Sequence, residues 1–153
     1  MKYWLMKSEP LEFSIDDLAN VPNQKIEWFG VRNYQARNFM RDEMHVGDKA
    51  LFWHSSCKNP GIYGIVEICS VAHPDNSQFD INSDYYDAKS YKDNPRWWCV
   101  DVKFVKKVPY ISITDLRAIQ ELHNMQVLQR GNRLSITPIS SKEWKIINDL
   151  IVV

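Results

Sequence analysis

Two short stretches of this sequence concentrate side chains that could do chemistry. His54-Ser55-Ser56-Cys57 sets a base beside three possible nucleophiles. A Ser or Cys nucleophile needs a base within hydrogen-bond reach and a third group to orient it. Neighbours on a strand point to opposite faces, so His54 and Ser55 should not meet. No nucleophile elbow accompanies them, and intrinsic catalysis is not expected. The second stretch, Phe29 to Arg41, holds Arg32, Arg37 and Arg41 and no acid, the densest positive segment of the chain. It suits phosphate contacts, and it equally suits a solvated helix face.

Metal-ligating residues do not cluster in sequence. There is no CxxC or HxxxH, and His45, His54, His73 and His123 fall far apart. Asp75, Asp80, Asp84 and Asp87 make an acidic stretch over 75–87 without Lys or Arg, at a spacing unlike an EF-hand. No metal and no cofactor are expected. Cys57, Cys69 and Cys99 are odd in number and widely spaced, which reads as free thiols in a reducing compartment. The aromatic share is the unusual quantity. Six Trp in 153 residues exceed what a small core ordinarily needs, and an aromatic cage for a flat ligand would use the surplus.

The elements that must position these groups follow from pattern. A chain of 153 residues fits one domain, and 44% hydrophobic with 25% charged residues is globular composition. No apolar run approaches the ~18 residues of a membrane span, and the first seven residues are too soon polar for a secretory signal. Tyr3 to Lys7 reads as a first strand, ended by Ser8-Glu9-Pro10. Ser14 caps a helix with Asp16 and Asp17 in its first turn. A second helix runs from Val31 to Glu43, burying Ala36, Phe39 and Met40, with Asn33, Arg37 and Arg41 on another face. Strands follow at Lys49 to His54, Ile62 to Ala72, and Trp98 to Phe104, the last with clean alternation. Thr114-Asp115-Leu116 starts a short helix. Arg133 to Ile136 reads as a final strand stopped by Pro138. Ser140 and Glu143 form a capping box for a last helix lined by Trp144, Ile147 and Ile151. Short strands and helices without long crossovers argue for an α+β fold, a small mixed β-barrel flanked by short helices.

Several blocks resemble the EVE domain family. They are Trp4-Leu5-Met6-Lys7-Ser8-Glu9-Pro10, Trp28-Phe29-Gly30-Val31-Arg32-Asn33-Tyr34-Gln35-Ala36-Arg37-Asn38-Phe39, and Phe52-Trp53-His54-Ser55-Ser56-Cys57. Pro60-Gly61-Ile62, Asp84-Tyr85-Tyr86-Asp87, Pro95-Arg96-Trp97, Val100-Asp101-Val102 and Arg133-Leu134-Ser135 continue the match nearly end to end. Trp53 departs from the Tyr or Phe usual there. The resemblance implies a PUA-like fold, a single domain over 1–153, and kinship with YTH modules that read methylated adenine in RNA. It also implies a reader of modified bases in DNA, such as methylated or hydroxymethylated cytosine, that flips the base into a pocket. Modified RNA is the alternative partner. The basic N-terminal tail of nuclear members has no counterpart here, so the expected location is cytoplasmic, or nuclear in a eukaryote.

The residue chemistry fits that implication. Reading a base needs a flat apolar wall for affinity and edge partners for identity. Trp28 and Phe52 are the stacking candidates. Lys7, Ser8 and Glu9 gather at a strand end, and Asn33 and Ser55 are neutral edge readers. Val31 and His54 complete the expected ligand-binding set, and Arg32, Arg37 and Arg133 would hold flanking phosphates. Each role has a structural rival: Trp28 as a barrel plug, Glu9 in an ion pair with an Arg, Arg37 as a solvated charge. With 19 basic and 19 acidic residues the net charge is zero, which excludes a uniformly basic binder. A local pocket must supply the discrimination.

Overall fold

The computed structural model describes residues 1–151. Its strands are β1 (Tyr3–Ser8), β2 (Lys25–Glu27), β3 (Lys49–His54), β4 (Gly61–Ile68), β5 (His73–Pro74), β6 (Trp98–Cys99), β7 (Asp101–Ser112) and β8 (Ile136–Ile139). Its α-helices are α1 (Ile15–Asn20), α2 (Tyr34–Asn38), α3 (Ile113–Arg117) and α4 (Ser141–Ile151), and α2 runs on into a π-turn over Phe39–Glu43. Six strands form one sheet in the order β2-β7-β4-β3-β1-β8, while β5 and β6 pair separately. β1 and β3 are parallel and the other neighbours antiparallel. A parallel pair needs a crossover, and the chain from Glu9 to Asp48, with α1, β2 and α2, supplies it.

Both faces of the central strands are covered. Trp4, Met6, Ala50 and Phe52 pack with Trp28, Ala36, Phe39 and Met40. Leu5, Leu51 and Trp53 pack oppositely with Ile62, Leu116, Leu122 and Ile147. Double coverage explains why β3 reads as a continuous apolar run. Trp53, the departure from the family pattern, lies in the second cluster at 2% exposure. Tyr3 stacks on Trp144 of α4 at 4.5 Å.

The expected α+β mix of strands and short flanking helices is present, and the expected small mixed barrel is corrected to an open sheet. β2 and β8 stand at opposite edges and do not pair. Irregularities at Phe52/Trp53, Ile62/Gly64 and Ile65/Val66 bend the sheet without closing it. Gly64 admits α1: a Cβ there would lie 2.5 Å from Ile15 Cδ1.

Other expectations shift locally. The α2 segment begins at Tyr34, not Val31, because Asn33 takes the cap and its Oδ1 accepts from Ala36 N at 3.0 Å. The strand expected over Trp98–Phe104 breaks at Val100, whose carbonyl accepts from Trp28 N at 2.8 Å. The last strand is Ile136–Ile139, and Pro138 lies inside it. β8 is an edge strand, where a missing N–H is tolerated. The caps at Ser14 and Ser140 form as expected, and all three cysteines are free thiols.

Candidate functional site

Parallel pairing brings the C-terminal ends of β1 and β3 to the same edge, with Ser8 opposite His54. The loops that leave these ends surround an open cavity of about 840 Å³. Eight of the twelve expected residues line it: Lys7, Ser8, Glu9, Trp28, Val31, Arg32, Ser55 and Arg133. Glu12, Phe29, Gly30, Asp84, Tyr85 and Ser135 join them.

Trp28 forms an apolar wall at 8% exposure. The 5.6 Å edge-on contact with Phe52 holds its ring in place. Lys7 is the penultimate residue of β1, its backbone N donating to Ser135 O at 2.8 Å. Burial holds the Lys7 ammonium below its usual pKa. Ser55 N donates to Ser8 O at 3.0 Å, joining the two strand ends. The Ser8 hydroxyl donates to Phe13 O at 2.5 Å, which makes it a loop brace with a free lone pair. Glu9 is exposed on the rim and makes no ion pair with an Arg among the described residues.

Gly30 and Tyr85 build the other wall. Gly30 has φ +84°, and the Tyr85 ring lies 2.8 Å from where its Cβ would be. Phe29 is 49% exposed and meets Tyr85 edge-on at 5.8 Å. Burial, with the carboxylates of Glu12, Asp84 and Glu9, raises the Tyr85 pKa, so the phenol stays a donor. The lining carries four carboxylates (Glu9, Glu12, Glu27, Asp84) against three cations (Lys7, Arg32, Arg133). A phosphate is disfavoured inside, and a group that presents N–H donors is favoured.

Four expected residues do not reach the cavity. Phe52 is fully buried and supports Trp28 from below. His54 is 7% exposed, its Nε2 accepting from Ile15 N at 3.2 Å and its ring stacked on Tyr63 at 3.9 Å. Burial lowers the His54 pKa, consistent with a neutral acceptor. Asn33 is the helix cap. Arg37 donates to Arg96 O and Asn38 Oδ1, both at 2.8 Å, and lies over the Tyr34 ring.

Arg32 lines the cavity, but its guanidinium is already engaged. It contacts Asp75 at 3.1 Å, donates to Tyr85 O at 2.7 Å and to Ser77 Oγ at 3.1 Å, and lies between Tyr85 and Trp97. Burial resists ionisation of Asp75, but donors from Ser77, Gly30 N and Arg32 outweigh it and hold the carboxyl below the usual range. Arg32 is therefore a clamp joining the basic segment to the acidic loop. Of the three expected phosphate contacts, Arg133 alone is exposed on the rim. The missed wall had a signal in sequence: Asp84-Tyr85 and Phe29-Gly30 fall inside blocks of the family resemblance.

The open mixed sheet with short flanking helices has the general architecture of the YTH and PUA-like folds. A Zygosaccharomyces rouxii MRB1 YTH domain, solved in complex with N6-methyladenosine RNA, superposes with a TM-score of 0.58 at 15% identity, over 98% of this chain and 86% of that one. Within that class the chain belongs to the EVE domain family, whose model matches residues 2–150. It is 42% identical over 165 residues to human thymocyte nuclear protein 1, covering 97% of this chain and 73% of that protein. Human THYN1 in complex with 5-methylcytosine-containing DNA is similar in structure, with a TM-score of 0.92 and 42% identity over 98% of this chain and 97% of that one. No helix among the described residues is long and apolar enough to cross a membrane.

Proposed function

We propose that this protein binds DNA containing a modified cytosine, turned out of the stack and held against Trp28. The observation that carries this reading is the strand-end cavity, with a buried indole for its wall and an acidic lining. The DNA complex of a relative 42% identical supports it. Cytosine presents an N4 amine, which carboxylates accept, beside acceptors that an ammonium can serve. Glu9 or Glu12 takes the amine and Lys7 the acceptors. A thymine or uracil would turn a carbonyl toward the carboxylates and be repelled. Val31 offers apolar surface for a C5 substituent, and one methyl is worth only ~1–3 kcal/mol. Arg133 meets a flanking phosphate at the rim.

The role is binding rather than catalysis. The His54 Nε2 that could serve as a base already accepts from Ile15 N. Such a reader works wherever its nucleic acid lies: in the cytoplasm of a bacterium or the nucleus of a eukaryote.

Duplexes with and without one 5-methylcytosine test the reading by fluorescence anisotropy. The modified duplex is expected to bind more tightly, and Trp28→Ala to lose roughly tenfold or more, as stacking is worth ~1–3 kcal/mol. Equal affinity for both duplexes, unchanged in the variant, refutes it. The acidic lining suits any base with an exocyclic amine, so modified RNA is the second reading, and the same oligonucleotides made as RNA decide it.

A further inference from the structure

Sequence spacing gives no sign of a metal site, but the fold brings three separated donors together. Glu27, His73 and Asp101 each offer a ligand atom, and these atoms all lie within 4.8 Å of one another. Glu27 and Asp101 are direct partners across β2 and β7. Like charges placed directly opposite destabilise a sheet unless something compensates them. Among the described residues no Lys or Arg pairs with either carboxylate, and the sole ion-pair contact is His73 Nε2 to Asp101 Oδ1 at 2.8 Å. In the absence of a cation this contact is a charge-assisted hydrogen bond, and it keeps two candidate ligand atoms close enough to share one ion at bonds of ~2.0–2.1 Å.

The imidazole is held at both nitrogens. His73 Nδ1 lies 3.2 Å from Pro74 O and Nε2 2.8 Å from Asp101 Oδ1, so Nε2 faces the carboxylates, and a cation binding there would displace the Nε2 proton. Cys99, the strand partner of His73, packs its Sγ 3.7 Å from Nδ1 and fixes the ring further.

We propose that Glu27, His73 and Asp101 form a binding site for a first-row divalent cation of the zinc class. One imidazole and two carboxylates suit Zn²⁺ or Co²⁺ better than Mg²⁺, which prefers oxygen alone. Three protein ligands leave at least one coordination position to water. Glu27 also lines the cavity, so the cation lies at its lip and offsets the acidic lining. The site does not depend on the identity of the cavity's ligand.

Calorimetric titration of chelator-treated protein with Zn²⁺, and Co²⁺ absorption spectra, test the proposal. One equivalent is expected to bind saturably, at least tenfold more weakly in His73→Gln and in Asp101→Asn. Glu27→Gln, at an exposed strand end, provides a third variant whose folding is not at risk, and the same loss is expected. Absence of saturable binding, or undiminished affinity in the correctly folded variants, overturns it.

Discussion

Gly30 joins backbone conformation to the pocket wall. Its φ of +84° suits glycine, and the Tyr85 ring fills the space a side chain would need. Gly30→Ala is expected to cost on the order of 1–3 kcal/mol in urea denaturation and to weaken ligand binding by displacing Tyr85. Asp75, 1% exposed, anchors the same wall through Gly30 N and Arg32. Removing one member of a buried pair costs roughly 3–5 kcal/mol. Asp75→Asn is expected to approach that loss at neutral pH. The Asp75 pKa lies below its unfolded value of about 3.9. Its stabilisation is therefore present above that value and lost as pH falls through it and then through the native pKa. A flatter acid limb in the pH–stability curve of Asp75→Asn checks the sign. Sequence located Lys7, Ser8 and Glu9 because polar residues that end an apolar strand must emerge at its tip. It misplaced Phe52 and His54 because both faces of β3 are buried, and residue type does not say which face meets the cavity. It assigned Arg32 and Arg37 to phosphates because their intramolecular partners, Asp75 and Arg96 O, lie far along the chain.

At the scale of elements, local chemistry was legible and curvature was not. Ser14 and Ser140 marked helix starts because side-chain oxygens satisfy orphan amides within three residues. Asn33 obeys the same rule two residues inside the expected helix, where its side chain serves as the cap. Asn33→Ala is expected to lose ~1 kcal/mol of stability with ligand affinity unchanged, and Asn33→Ser to restore most of it. Denaturation and anisotropy on the same preparations separate the two roles. β2 escaped notice because three residues, two of them exposed charges, show no period. Openness of the sheet depends on bulges at Phe52/Trp53 and within β4, which pairing preferences alone do not reveal.

For the whole molecule, zero net charge takes on a different meaning. The basic segment and the acidic loop are joined rather than separate, through Arg32–Asp75 and the Arg32 contacts to Tyr85 and Ser77. Arg37 is spent on Arg96 O. Of the cations that line the cavity only Lys7 and Arg133 are outside an ion pair among the described residues, so a plot of log K against log salt for a modified duplex is expected to slope between about −1 and −2. A slope steeper than about −5 would show an extended backbone interface instead.

The place of β1 also governs how the chain is made. β1 precedes the other strands of its sheet in the chain, yet it lies between β3 and β8. Its second partner is Ile136–Ile139, and the rim residues Arg133 and Ser135 come just before. A nascent chain without β8 exposes one edge of a strand containing Trp4, Leu5 and Met6, a ready template for aberrant pairing. Pairings this distant in sequence also slow folding. The second edge of β1 and the Arg133–Ser135 rim are therefore completed only once the segment before and within β8 has joined the sheet, and chaperone demand should be greatest before it does.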